Sequence, residues 1–157
     1  MDVAYVNPFI FSTVETFKTM LNLEVKPGQV QLRDVKKFSY DVSGIIGLSG
    51  DAQGSICMSF PKILALRIVS KLLGTEIKII GTEIADGIGE IANIIAGNAK
   101  QHLSQYSLSI SLPKVVVGPG HYVASQQGIP TIVVPFISSI GDFAMEVSLK
   151  TPPAKRG

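Results

Sequence analysis

The sequence is poor in the residues that build disulfides, metal sites and nucleic-acid-binding surfaces. Its 157 residues include one cysteine, two histidines and no tryptophan, and the net charge is +2 without a basic block. A single cysteine cannot form an intramolecular disulfide and fits a reducing compartment. His102 and His121 are far apart and no cysteine cluster accompanies them, which argues against a zinc site. The charge pattern also lacks the basic footprint of a nucleic-acid-binding protein.

Long apolar runs and an N-terminal signal pattern are missing as well. No stretch approaches the roughly 20 apolar residues that a membrane span needs. Residues 1–5 have no basic region, and no long apolar run follows them. We therefore expect a cytoplasmic protein without membrane contact. The apolar fraction of 46% suffices for a folded core, whereas the charged fraction of 17% is low and favours an oligomer interface.

The motifs of nucleotide-binding proteins and common hydrolases are absent. Gly118-x-Gly120 lacks the third glycine and the following helix of a dinucleotide-binding fingerprint. The sequence has no phosphate-binding P-loop and no Gly-x-Ser-x-Gly elbow. Cys57 lies in an apolar stretch, which predicts a small buried residue and not a nucleophile. His102 is predicted to pack on the core side of a helix near its end.

The spacing of apolar residues predicts three helices and an antiparallel sheet. The first helix starts at Asn7-Pro8, the second runs from Pro61 to Gly74, and the third covers residues 82–106. Strands are predicted at residues 39–48, 55–60, 114–117, 131–137 and 142–149. Breaks in the chain are predicted at residues 118–120 and 126–128. We expect one domain over residues 1–150, followed by a flexible tail over residues 151–157.

Two parts of the sequence resemble one another. Residues 54–58 align with residues 141–145, each in a predicted hairpin, and a long helix stands upstream of each hairpin. Glu15-x-x-Lys18 on the first helix corresponds to Glu90-x-x-Asn93 on the third. We therefore predict an α+β fold in which an antiparallel sheet carries long helices. The fold would be a pseudo-two-fold duplicated helix–hairpin unit, with the second helix between the copies.

The third helix has a polar face opposite its apolar stripe. The stripe consists of isoleucines and one alanine at helical spacing: Ile84, Ile88, Ile91, Ile95 and Ala99. At about 100° per residue from Ile84, Glu90 falls at about 240°, Asn93 at about 180° and Gly97 at about 220°. A carboxylate, an amide and a missing side chain therefore share one exposed patch that another surface could approach closely.

An ordinary solvated helix face would avoid two features of this segment. Gly87, Gly89 and Gly97 each cost roughly 1 kcal/mol relative to alanine inside a helix. Asp86 and Glu90 carry the same charge at i, i+4, which destabilises an isolated helix slightly. Such local inconsistencies are expected where function is located, so we interpret this face as a functional site.

Glu90-x-x-Asn93, with Gly97-Asn98 beyond it on the long helix of a duplicated unit, resembles the CheX branch of the CheC/CheX/FliY phosphatases of bacterial chemotaxis. The resemblance covers residues 5–150 and implies a homodimer that dephosphorylates the aspartyl phosphate of a CheY-type response regulator. It implies that Asn93 orients the attacking water and that Glu90 pairs with a receiver lysine. Asp86, Gly97 and Asn98 would contact the partner.

The resemblance also bears on cofactors and on the first copy of the motif. It implies that the chain binds no cofactor itself and that Mg²⁺ is supplied by the receiver domain. Lys18 stands where the second copy has Asn93, so the first site is predicted to be inactive, as in single-site CheX proteins.

Two other functions are compatible with the sequence. A non-catalytic module, such as a flagellar-switch or scaffold component, would dock the same receiver without hydrolysis. Asn93 argues against it, because a docking surface needs no amide at the centre of its patch. A small-molecule-binding domain would use the loop at residues 118–130, and the lack of clustered polar groups argues against that function.

Overall fold

A computed structural model describes residues 5–32, 40–121, 123 and 128–150. Over these residues, three helices pack on an eight-stranded antiparallel sheet. The helices are α1 (Asn7–Leu21), α2 (Lys62–Leu73) and α3 (Thr82–Gln101). The strands are β1 (Val25–Pro27), β2 (Gln31–Leu32), β3 (Tyr40–Gly50), β4 (Gln53–Phe60), β5 (Leu108–Ile110), β6 (Lys114–His121), β7 (Thr131–Ser138) and β8 (Phe143–Lys150). The predicted α+β class, with an antiparallel sheet under long helices, is confirmed.

The order of the strands is symmetric about the centre of the sheet. At the centre, β4 and β8 pair with Met58 opposite Met145, and the hairpin partners β3 and β7 flank them. Farther out, β5 and β6 pair with β3, while β1 and β2 pair with β7. Each hairpin therefore takes its outer strands from the other half of the chain. The duplicated helix–hairpin unit is confirmed, and its two copies exchange their edge strands.

The edges of the sheet differ from the prediction. β1, β2 and β5 have only two or three residues each and were not predicted. β6 continues through Gly118-Pro119-Gly120, so the predicted break there is wrong. The pairing shifts from Val42–Val117 to Tyr40–His121, which accommodates these residues as a bulge on an edge strand that tolerates proline. Of the predicted break at residues 126–128, only Gly128 is described, and it lies in a turn with φ of 84°. The tail at residues 151–157 lies outside the described residues.

α3 ends five residues before its predicted end at residue 106. The backbone N–H groups of His102 and Leu103 donate to the carbonyls three residues back, Ala99 and Lys100, both at 3.0 Å, which tightens and closes the last turn. Leu103 then turns into the core, whereas His102 is exposed with its ring edge-on to Phe11. The core-side position predicted for His102 is wrong, because this residue lies beyond the helix.

Two of the three glycines in α3 serve packing inside the molecule. A Cβ atom at Gly87 would lie 2.9 Å from both methyl groups of Val69 on α2. At Gly89, a Cβ would lie 3.3 Å from Val115 Cγ2. On the sheet side, Gly44 of β3 lets α3 approach, because a Cβ there would lie 3.3 Å from the Ile88 carbonyl oxygen. Gly87 and Gly89 therefore reflect close internal contacts.

We expect Gly87→Ala to destabilise the protein by about 1–2 kcal/mol, because the clash with Val69 outweighs the better helix propensity of alanine. In a Val69→Ala background the sign should reverse, and Gly87→Ala should stabilise by about 0.5–1 kcal/mol. Gly97→Ala is the matched control, since its Cβ would meet only Ile110 Cδ1 at 3.9 Å. Urea unfolding measures the free energy of unfolding for Gly87→Ala in each background and for Gly97→Ala. Destabilisation by Gly87→Ala of the same size in both backgrounds would contradict this account.

Candidate functional site

Glu90 and Asn93 lie one turn apart on the solvent side of α3. Both residues are exposed, as the helical projection predicts, while Ile88 and Ile91 beside them in sequence are fully buried against the sheet. Residues at i, i+3 of a helix have Cβ atoms about 5–6 Å apart. The carboxylate and the amide can therefore contact one partner group at the same time.

The two side chains open onto a cleft of about 520 Å³ between α3 and the beginning of β6. The cleft is lined by Ala85, Asp86, Gly89, Glu90, Asn93, Pro113 and Val115. One side carries two carboxylates and an amide, and the other side is apolar. Because Gly89 has no side chain, α3 and this part of β6 can stand close together, and Pro113 and Val115 form the second side of the cleft.

The remaining predicted partner-binding residues are distributed unevenly around the cleft. Asp86 lines it, whereas Gly97 and Asn98 follow Asn93 along α3 and are not among its lining residues. Gly97 is half-buried, with Ile110 Cδ1 3.9 Å from the position of a Cβ atom, and Asn98 is exposed. The structure thus brings Asp86, Glu90 and Asn93 together at the cleft, whereas Gly97 and Asn98 lie farther along α3, outside the lining of the cleft.

The apolar side of the cleft was missed by sequence reasoning. Pro113 and Val115 are distant from α3 in the chain and reach it through the pairing of β6 with β3, where Val115 lies opposite Gly44. The periodicity of α3 contains no signal for this contact. The Pro-containing segment after β5 was the only local indication that the chain changes direction there.

The charge of the cleft favours a cationic group. Asp86 and Glu90 are exposed carboxylates at i, i+4 and repel one another mildly. Within the described ranges, no group of three or more histidine, cysteine, aspartate or glutamate side chains is arranged to hold a metal ion. A positively charged side chain of a partner would therefore relieve the repulsion between the two carboxylates and satisfy Glu90.

A buried polar chain lies on the sheet face opposite α3. The Nδ1–H of His121 donates to the Gly118 carbonyl at 2.7 Å, and its Nε2 forms a hydrogen bond with the Ser43 hydroxyl at 2.8 Å. The hydroxyls of Ser43 and Ser59 are hydrogen-bonded at 2.7 Å, and Cys57 Sγ lies 3.4 Å from Ser59 Oγ. Cys57 is buried as predicted. Because successive strand residues face opposite ways, this network points away from the cleft.

Tyr40 borders the same opposite face and stays protonated. Burial raises the pKa of Tyr40 to about 12, and the negative charge of Glu146 adds to this effect. The phenol is therefore neutral at physiological pH. Neither Tyr40 nor the serine–histidine chain supplies a group to the cleft at Glu90 and Asn93.

The first copy of the motif lies on α1, which packs beside α3. Ser12 Oγ on α1 donates to the Ile95 carbonyl of α3 at 2.8 Å, which joins the two helices. Lys18, at the position that corresponds to Asn93, is exposed, and Glu15 is half-buried. The Lys18 ammonium only donates hydrogen bonds, whereas an amide both donates and accepts. The two copies therefore present different chemistry on equivalent helices.

Comparison with known proteins identifies close similarity over nearly the whole chain. A family model described as chemotaxis phosphatase CheX matches residues 42–137. A curated relative, the CheY-P phosphatase CheX of Thermotoga maritima, is 29% identical over 155 residues, which covers 96% of this chain and 99% of that protein. None of the described helices has the length and apolar composition needed to span a membrane.

Two solved structures are similar as well. A CheC-like superfamily protein from Shewanella sp. PV-4 is 36% identical with a TM-score of 0.89, over 96% of this chain and 99% of that chain. A chain of the CheX–CheY–BeF₃–Mg²⁺ complex from Borrelia burgdorferi is 26% identical with a TM-score of 0.82, over 95% of this chain and 99% of that chain.

Proposed function

Since this chain belongs to the CheX family of chemotaxis phosphatases, we propose that it hydrolyses the aspartyl phosphate of a CheY-type response regulator. The observation that carries the proposal is the exposed pair of Glu90 and Asn93, one helical turn apart on an open cleft. The names of the Thermotoga and Borrelia proteins support the same substrate.

The reaction needs little covalent chemistry from this chain. An acyl phosphate is already activated, so hydrolysis depends on a water molecule held in line and on charge compensation. The water oxygen forms a bond to phosphorus, the bond from phosphorus to the aspartyl oxygen breaks, and the receiver carboxylate leaves. The water proton passes to the departing phosphate or to solvent. No general base of matched pKa is required, which agrees with a cleft whose lining residues include no histidine.

Asn93 would position the attacking water. Its side chain has a carbonyl oxygen that accepts and an amide group that donates, so it can hold a water molecule without becoming charged. Its exposure allows it to enter the phosphorylation site of a receiver domain. The contact would matter most in the transition state, when the water must align with the breaking bond.

Glu90 would bind a cation of the receiver, and the receiver lysine is the group we assign to it. The carboxylate is one turn from Asn93 and exposed, and the nearby Asp86 increases the negative potential. Mg²⁺ would be held by the acidic pocket of the receiver, as the presence of Mg²⁺ in the Borrelia complex suggests. This chain would then add a water-orienting amide and an ion pair to a metal site that the partner already possesses.

The test is dephosphorylation of a panel of phosphorylated receiver domains from the same organism. At least one receiver should lose its acyl phosphate faster with this chain than spontaneously, and Mg²⁺ should be required. Binding without acceleration for every receiver would replace the proposal with a docking module. Neither binding nor acceleration would reject a receiver as the substrate.

The proposal includes a homodimer in the cytoplasm. Only 17% of the residues are charged, and several large apolar side chains are more than half exposed, among them Phe11, Ile63 and Ile137. The single cysteine agrees with a reducing compartment. Light scattering at micromolar concentration should give twice the chain mass, and a monomeric mass would contradict the dimer.

A further inference from the structure

An exposed leucine, Leu112, lies in the chain between Ile110 and Pro113, which approach α3 at Gly97 and Gly89 respectively. We define the apolar wall as Leu112, Pro113 and Val115, of which Pro113 and Val115 line the cleft itself. Leu112 is 86% exposed, the most exposed of the large apolar side chains in the described part of the chain. An exposed leucine next to a lining residue of the cleft loses the free energy that burial would provide. Its position suggests that it is buried when another molecule occupies the cleft.

Hydrogen bonds hold the segment that carries Leu112. The Ser111 N–H donates to the Gly47 carbonyl at 2.9 Å, and the Gly47 N–H donates to Ser111 Oγ at 2.8 Å. Ser111 Oγ in turn donates to the Leu112 carbonyl at 2.8 Å. These three bonds fix the backbone on β3 and direct the leucine outward. The wall is therefore formed before any partner arrives, which lowers the entropic cost of docking.

Pro113 and Val115 of the apolar wall line the same cleft as the polar residues of α3. Asp86, Glu90 and Asn93 form one side of the cleft and Pro113 and Val115 the other. Two residues beyond Val115, Val117 points to the same side of β6 and is 48% exposed. A protein surface that brings a phosphorylated group to Asn93 must cover this second side as well. The polar side of the cleft favours a charged group of the partner, and the apolar side can bury apolar surface of the partner.

We infer that the apolar wall docks an apolar segment of the receiver domain beside its phosphoaspartate, with Leu112 as the anchor. The inference rests on the proposed function and adds a second contact surface to it. The polar residues of α3 would set the chemistry and the charge preference. Leu112 would supply affinity for a protein substrate without taking part in the hydrolysis.

The test compares two leucines of similar exposure. Leu112→Ala and Leu112→Asp are measured against Leu32→Ala and Leu32→Asp, because Leu32 is 75% exposed on β2 at the opposite end of the sheet. The first readout is the dissociation constant for a receiver loaded with beryllium fluoride and Mg²⁺. Leu112→Ala should weaken binding about tenfold, the loss expected from one buried leucine. Both Leu32 variants should bind like wild type.

The second readout separates docking from chemistry. Leu112 variants should raise KM and leave kcat within about twofold, because the lost contact is equal in the ground and transition states. The wild-type protein could dephosphorylate the receiver while the Leu112 variants have the same dissociation constant and KM as the Leu32 variants. That result would overturn this inference alone. A wild-type protein inactive on every receiver would remove the proposed function and this inference with it. Conversion of a dimer to a monomer by Leu112→Asp would show a second copy as the occupant and would also overturn it.

Discussion

Replacing Asn93 by alanine should lower kcat for dephosphorylation by at least about 100-fold, a loss typical of removing one group that is aligned in the transition state. The phosphorylated receiver should still bind, because the amide acts mainly on the attacking water. Asn93 is exposed, so the substitution removes no core packing and the protein should unfold at the same urea concentration. Single-turnover kinetics with a phosphorylated receiver in excess Mg²⁺ measure the effect.

The first copy of the motif provides the matched control for this variant. Lys18→Ala changes the position on α1 that corresponds to Asn93, and Glu15→Ala changes the position that corresponds to Glu90. Both should leave the activity near wild type. A loss at Lys18 as large as that at Asn93 would mean that the active site has been assigned to the wrong helix. Full activity in the Asn93→Ala, Glu90→Ala double variant would reject the phosphatase site on α3 altogether.

Glu90→Ala should weaken binding of the phosphorylated receiver about tenfold to a hundredfold, because hydrogen bonds between charged groups contribute about 1.5–3 kcal/mol. The salt dependence of association should fall together with the affinity, since one attractive charge has been removed. The value of kcat should fall as well if the paired lysine takes part in the reaction. Titrations at several salt concentrations measure the first two changes.

Two further variants separate charge from shape at this position. Glu90→Gln keeps the size and the hydrogen-bonding oxygen but removes the charge, so its salt dependence should match that of Glu90→Ala. Asp86→Asn should have a smaller effect, because Asp86 is one turn farther from Asn93. An unchanged salt dependence in both Glu90 variants would show that this carboxylate does not pair with a cation.

The part of the site on α3 could be predicted because it depends on a local repeat. Five apolar residues at helical spacing determine which side of α3 packs on the sheet, and Glu90 and Asn93 then fall on the opposite side. The end of the helix could not be predicted in the same way. The apolar pattern continues to Leu103, which does pack in the core, but the chain reaches it through a tighter turn that leaves His102 in solvent.

The second side of the cleft depends on contacts between distant parts of the chain. Val115 reaches α3 only because β6 pairs with β3 in a register that places it opposite Gly44. Strands of two or three residues, such as β1, β2 and β5, are too short to show an alternating pattern. Pro119 and its glycine neighbours are typical of a loop, and only an edge strand with a bulge accepts them. These features require the assembled sheet.

The exchange of edge strands makes folding of this protein cooperative between its two copies. Val25, on an outer strand from the first copy, pairs with Ser138 in the hairpin of the second copy. Gly50, in the hairpin of the first copy, pairs with Leu108 on an outer strand from the second copy. A fragment that ended between α2 and α3 would contain one hairpin without its outer strands, and two strands without their hairpin. Neither this fragment nor the remainder of the chain could complete its part of the sheet except by binding the other, or by binding a second copy of itself.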